Sequence, residues 1–264
     1  MVFALELFLN IPDKFMKELE ISNKRWIRRI RHPAIFLTYD DGPNPSVTPR
    51  LLDLLKEARA SATFFVTGES LAHTEAPSIL RRMVEEGHTI GNHGESHLKT
   101  EYPAYEISQR RIELACGIHT DIFRAPYGVK KHVADYLQKD RRVVGVHWTA
   151  YFEDWLPLDL EKVTTQVGEL DRGSILLLHD GSTSHDEYRD RSQVLKLTEM
   201  IVGQCHRKSI PLAGLATVYP ALHRTRSASG RKWEFKLGNR SSSLFKSISA
   251  TFSGFKQWCG SHRL

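Results

Sequence analysis

The sequence predicts an α/β fold with a parallel sheet, and three observations carry that expectation. Short apolar runs alternate with amphipathic segments of helical period along most of the chain. About seven such runs fall within roughly 190 residues, and five of them end in clusters of Asp, His, Arg or Trp. Regular β–α alternation implies parallel strands joined by helical crossovers. That strand count suits a small or incomplete barrel, with a doubly wound open sheet as the alternative.

The strands are expected at 34–39 (AIFLTY), 62–68 (ATFFVTG), 88–93 (HTIGNH), 122–126 (IFRAP), 143–150 (VVGVHWTA), 174–180 (SILLLHD) and 210–218 (IPLAGLATV). The helices are expected at 48–58, 76–87, 106–116, 130–140, 159–170 and 191–208, the second ending at Gly87 as a helix C-terminus should. Residues 1–32 read as an N-terminal arm of helical and basic character, 33–221 as the barrel, and 222–264 as a basic tail, amphipathic or disordered.

Composition narrows the class. The 264 residues are 41% hydrophobic and 26% charged, as in a soluble globular protein. No apolar run approaches the ~20 residues needed to span a bilayer. The apolar start carries Glu6 without a basic lead, so no signal peptide is expected. Three distant cysteines, Cys116, Cys205 and Cys259, argue for reduced thiols and against a Cys-based zinc site, which points to the cytoplasm. From Leu222 onward nine Lys or Arg face the single acid Glu234, a net of +8, so the remaining chain carries −2 of the +6 total. The basic character belongs to the tail.

In a barrel, residues at the C-terminal ends of strands share one mouth. Asp40 and Asp41 end the first strand, His93 and His97 follow the third, Arg124 ends the fourth, and Asp154 and His179 follow the fifth and sixth. His93 and His97 are four apart, so both imidazoles can face one point. Two imidazoles and one carboxylate make a three-ligand site with positions left for water, as catalytic Zn²⁺ prefers; the same set accepts Co²⁺ or Fe²⁺. One of the two adjacent Asp residues would be the ligand. The other would be the general base, charge-paired with Arg124. His179 is placed to protonate a leaving group, with Asp154 as its partner. A divalent ion beside the Asp pair would relieve their mutual repulsion. It would also lower the pKa of water towards ~7 and polarise a carbonyl.

The motifs TYDDGP (38–43), HGESH (93–97), RAPYG (124–128), YFEDW (151–155) and LLH (177–179) occur in order at these strand ends. Together they resemble the polysaccharide deacetylases, carbohydrate esterase family 4, which share the NodB homology domain. The likeness runs from about Ile35 to Val218, and the short loops look most like the nodulation-type chitooligosaccharide deacetylases. The resemblance implies a distorted (β/α) barrel of about seven parallel strands. It implies Asp40 as general base, with Asp41, His93 and His97 as metal ligands and Arg124 orienting Asp40. Asp154 would tune the general acid His179. The Tyr127 N–H would help hold the oxyanion, and Trp155 with Leu177 would wall the acetyl pocket. The implied reaction is metal-assisted hydrolysis of an N-acetyl group on an acetylated amino-sugar oligosaccharide or glycan, with one divalent ion, Zn²⁺ by expectation.

The sequence departs from the family pattern in three places. Tyr39 replaces a Phe conservatively. Gly94 replaces the Ser or Thr that braces the metal loop, which predicts a looser loop and weaker metal binding. Tyr151 stands where the first acid of the fourth motif is expected. His73, His119, His132 and His147 read as surface or packed residues, and Trp148 and Cys116 as packing. His185 reads as part of a solvated turn. In the tail, Phe245, Ile248, Phe252, Phe255 and Cys259 recur at three- and four-residue steps beside Lys and Arg. A membrane-surface helix is one expectation for that stripe, against an anionic bilayer, and a helix packed on the barrel another. No nucleic-acid partner is expected.

Overall fold

The structure is a computed structural model that describes residues 26–98, 104–129, 143–218, 223–226 and 233–234. Its strands are β1 (Trp26–Ile27), β2 (Ile35–Asp40), β3 (Thr63–Val66), β4 (Thr89–Asn92), β5 (Ile118–Thr120), β6 (Ile122–Phe123), β7 (Val144–Val146), β8 (Ala150–Tyr151), β9 (Ile175–His179) and β10 (Leu212–Ala213), followed by β11 (His223–Arg226) and β12 (Trp233–Glu234). The helices are α1 (Thr48–Glu57), α2 (Ala76–Glu85), α3 (Ala104–Cys116), α4 (Leu160–Gly168), α5 (Gln193–Arg207) and α6 (Leu215–Val218).

Among the described residues nine strands form one parallel sheet in the order β1-β7-β6-β4-β3-β2-β9-β8, with β10 paired to the start of β2. Among the described residues its two ends, β1 and β8, are not paired with each other, so the described sheet is a curled, incompletely closed barrel. Period-two alternation sorts the strand residues between two apolar layers. Leu37, Tyr39, Phe64, Val66, Ile90, Leu176 and Leu178 pack with the buried faces of the surrounding helices, such as Leu51, Leu52 and Leu55 of α1. Phe36, Phe65, Ile122, Val144, Val146 and Ile175 pack on one another inside the curl. Because β2 is buried on both faces it reads as a continuous apolar run. Emptying the interior at Phe65 would cost about 3–5 kcal/mol.

Local chemistry explains the element ends. Pro near the first position starts α1 and α2. Gly87, at φ +83°, supplies the left-handed residue that ends α2. Asp159 caps α4, its Oδ1 accepting from the N–H groups of Glu161 and Lys162 at 3.1 Å.

Several boundaries differ from the sequence expectation. Trp26–Ile27, expected in the arm, pairs in parallel with Gly145 and Val146 as an edge of the barrel sheet. Both side chains are buried, so a strand satisfies them better than an exposed helix would. The region 143–150 holds two strands, β7 and β8, joined across the barrel opening. Val144–Val146 pairs beside β6 and Ala150–Tyr151 beside β9. β5 was not anticipated: its three residues follow α3 after a single left-handed Gly117. β11 pairs antiparallel with β5 and β12, so the first residues past 222 add backbone to a small second sheet. The expected helix at 130–140 and the apolar stripe from Phe245 to Cys259 lie outside the described residues. No helix among the described residues is long and apolar enough to cross a membrane.

Candidate active site

An extended strand would point Asp40 and Asp41 to opposite faces. The chain avoids this at Asp41, whose φ of +69° is a conformation Asp tolerates better than most residues. Both carboxylates therefore reach the mouth. His93 Nε2 lies 3.6 Å from Asp40 Oδ2 and 3.5 Å from Asp41 Oδ1. The turn is held from β9: a Cβ on Gly42 would sit 2.4 Å from both Asp180 carboxylate oxygens, and one on Gly181 would sit 2.1 Å from the Asp41 carbonyl oxygen. Only glycine permits either contact.

The two imidazoles come from the loop after β4. His93 Nδ1 lies 2.8 Å from the Arg124 carbonyl oxygen, which can only accept, so Nδ1 carries the proton and Nε2 presents a bare lone pair. His97, in a left-handed conformation at φ +59°, brings its Nε2 within 3.4 Å of the same Asp41 oxygen. The ligand atoms of Asp41, His93 and His97 lie within 4.8 Å of one another, all on buried residues. Among the described residues Asp41 Oδ1 has no hydrogen-bond partner. A buried carboxylate oxygen facing a bare imidazole nitrogen is unfavourable until a cation sits between them. The donor set and this orphaned oxygen therefore fit a divalent ion. The electrostatics agree. Burial lowers the His93 pKa well below its ordinary value, and lowers His97 to about 4, which keeps both neutral as ligands. Burial raises the Asp41 carboxyl to about 7, with Asp40 adding and His179 opposing.

Asp40 is held from the other side. Arg124, fully buried, donates from Nη1 to Asp40 Oδ1 at 2.8 Å and to Thr38 Oγ1 at 2.7 Å. Its guanidinium also lies 4.2 Å over the Phe65 ring. Asp40 stands opposite His179 in the β2–β9 register. His179 Nδ1 donates to Asp154 Oδ1 at 2.8 Å, and the His179 main-chain N–H donates to Asp154 Oδ2 at 2.7 Å. Burial alone would lower the His179 pKa. The charge and hydrogen bond of Asp154 outweigh it, with Asp41 and Asp40 adding, and raise it to about 9. Trp155 turns an edge to His179, with ring centroids 5.4 Å apart. Tyr127, at φ +56°, packs its half-exposed ring 4.5 Å from His97. Leu177 belongs to neither apolar layer and lies opposite Thr38, facing the mouth. Every site residue expected from the sequence thus comes to one mouth.

The Polysaccharide deacetylase family profile matches residues 28–144. A chitooligosaccharide deacetylase from Sinorhizobium fredii is 36% identical over 159 residues, covering 56% of this chain and 73% of that protein. The chain belongs to the polysaccharide deacetylase family. A second relative, the chitooligosaccharide deacetylase of a Bradyrhizobium species, is 32% identical over 204 residues, or 72% of this chain and 90% of that one. Among solved structures, peptidoglycan deacetylase PdaC of Bacillus subtilis has TM-score 0.60 and 28% identity, over 72% of this chain and 91% of that chain. The chitin deacetylase of Colletotrichum lindemuthianum shares the fold at TM-score 0.64 and 22% identity, over 82% and 98%. The protein is a carbohydrate deacetylase, a hydrolase of N-acetyl amide bonds, and its family is metal-dependent.

Within this deacetylase the absent hydroxyl at Gly94 is compensated. Asn92, fully buried, accepts from the Gly94 N–H at 2.8 Å and from Ser108 Oγ at 2.7 Å, and donates from Nδ2 to the Tyr105 carbonyl at 3.0 Å. The N–H groups of Gly68 and Glu69 bind the carbonyls of Gly94 and Glu95. The loop expected to be loose thus takes part in three hydrogen bonds, one to Asn92 and two from Gly68 and Glu69. Asn92 was missed, although a lone amide ending an apolar strand just before His93 was a readable sign of a buried hydrogen-bonding post. Thr38 and Asp180 were missed as well. Thr38 looks like an ordinary β-branched strand residue, and only the register reveals that it faces Arg124.

Proposed function

We propose that this deacetylase removes the acetyl group from N-acetylglucosamine residues of a chitooligosaccharide, adding water to the amide and releasing acetate and a free amine. The carrying observation is that Asp40 stands 3.6 Å from His93 Nε2 yet is held by Arg124, beside the Asp41–His93–His97 trio. A chitooligosaccharide is preferred to peptidoglycan on identity and coverage taken together, since the peptidoglycan deacetylase PdaC is covered over 91% of its chain but at 28% identity. The two rhizobial relatives are matched over 73% and 90% of their length, whereas the peptidoglycan deacetylase PgdA of Listeria monocytogenes is matched over 32%.

Asp41, His93 and His97 would hold the ion. When bound it supplies a water of lowered pKa and polarises the acetyl carbonyl; two imidazoles and a carboxylate favour Zn²⁺. Asp40 takes the proton of the attacking water, its carboxylate fixed by the bond from Arg124. His179 then protonates the departing amine from Nε2, since Nδ1 is engaged by Asp154. The Tyr127 N–H offers a donor to the developing oxyanion. Trp155 and Leu177 exclude water from the side that receives the acetyl methyl.

Acetate release from chitotetraose and chitopentaose tests this reading, with activity lost on chelation and restored by Zn²⁺ or Co²⁺. Metal-loaded protein that frees no acetate from any N-acetylglucosamine oligomer would reject it.

A further inference from the structure

Tyr151 occupies the place of an acid in the family pattern, and the residue is 46% exposed. It lies opposite Leu177 in the β8–β9 register, and Leu177 lies opposite Thr38. Paired residues of parallel strands point to the same face. Thr38, Leu177 and Tyr151 therefore form one layer across three strands, running from the Arg124-lined interior out to solvent. A second path arrives at the same place. Trp155 meets His179 edge-on at 5.4 Å, and Tyr151 lies nearly parallel to Trp155, at 15° and 6.1 Å between centroids. α4 steadies the platform's backbone, with Gln166 Nε2 donating to the Tyr151 carbonyl at 3.4 Å.

We propose that Tyr151 is a stacking platform for the sugar next to the one being deacetylated, and that it makes the site selective for oligomers over the single amino sugar. The inference rests on the proposed reaction. A pyranose presents an apolar C–H face rimmed by hydroxyls. A tyrosine matches it with a flat apolar ring and a polar tip, and orders only two side-chain torsions on binding. An aspartate at this position could address hydroxyls alone. The change from acid to ring thus replaces hydrogen-bond recognition by face recognition, one sugar away from His179.

The test is acetate release from the N-acetylglucosamine monomer through the pentamer by wild type, Tyr151→Ala and Tyr151→Phe. For wild type, kcat/KM rises with chain length. In Tyr151→Ala the loss falls on KM, roughly three- to tenfold for the longer oligomers, and the length dependence flattens. Tyr151→Phe, which keeps the ring, retains it. A Tyr151→Ala protein with unchanged KM at every length, or with equal loss at every length, overturns the platform. If wild type frees no acetate at all, the proposed reaction fails instead. The platform is then judged by calorimetric binding of the tetramer to zinc-loaded Asp40→Asn, with and without Tyr151→Ala. Weaker binding in the double variant supports it, whereas equal binding or none overturns it.

Discussion

Asp154 grips His179 with both oxygens, one on the ring Nδ1 and one on the main-chain N–H, at 2.8 and 2.7 Å. The carboxylate therefore fixes both the charge and the orientation of the imidazole. His179 is raised from 6.5 to about 9. A group raised on folding contributes stability that is fully present below pH 6.5 and is lost as pH rises through about 9. As a proton donor it also loses activity over that upper range. Asp154→Asn should lower kcat about 10²- to 10⁴-fold. It should also move the alkaline limb of the kcat profile down by about one pH unit or more. An unmoved limb would remove His179 from the acid role.

Asp40 sits outside the ligand trio, so base and metal can be separated by mutation. Asp40→Asn should lower kcat about 10²- to 10⁴-fold, while metal content measured on the purified protein stays near one ion per chain. Loss of metal together with activity would make Asp40 a ligand rather than a base.

Arg124 is buried with its charge balanced by Asp40. Arg124→Met leaves that carboxylate buried and alone, a change worth about 3–5 kcal/mol. Chemical denaturation should report a loss of that order. Adding Asp40→Asn should recover part of it, because the orphaned charge is then gone.

Of the three protein ligands, Asp41 should be the one that gives up a proton on metal binding. Both imidazoles are already neutral at pH 7, whereas the Asp41 carboxyl sits at about 7 in the protein without its ion. Calorimetry with zinc in buffers of different ionisation enthalpy should therefore show proton release from Asp41 at pH 6, whereas release near pH 9 comes from the water that the ion acidifies. Saturation at about 100 times Kd should stabilise the fold by about 2.7 kcal/mol. No proton release at pH 6 would mean that Asp41 is already ionised before the ion binds.

Restoring the family's hydroxyl should not help this loop. Gly94 sits at φ +85°, and among the described residues a Cβ there would meet only Pro126 Cγ, at an ordinary 3.8 Å. Space is available but the backbone conformation is wrong for serine, at a cost of roughly 1–2 kcal/mol. Gly94→Ser should lower Tm by about 2–4 °C per kcal/mol without tightening zinc binding. A rise in both would mean that the loop adopts a different backbone in the variant.

The chemistry of the site was legible because it is written in residue types that rarely converge by accident, at the ends of strands whose apolar character is plain. Asp40, Asp41, His93, His97, Arg124 and His179 needed only the rule that parallel strands share a mouth. What stayed hidden depends on geometry between distant segments. The left-handed turn at Asp41 that brings both carboxylates together has no local signature beyond the glycine after it. The division of 143–150 into β7 and β8 follows from the incomplete closure of the sheet, a property of the assembled barrel. Asn92 substitutes for a hydroxyl two residues away, a compensation visible only once Tyr105 and Ser108 are packed beside it.

Arg124 serves two masters: its carbonyl fixes the tautomer of His93, and its guanidinium holds Asp40. Cation affinity and base alignment thus share one residue just after β6, the first through its main chain and the second through its side chain. A relative that had abandoned hydrolysis could discard the guanidinium and still grip an ion, since the carbonyl belongs to any amino acid. Descent from catalyst to binder is therefore a single side-chain substitution away, and the reverse journey equally short.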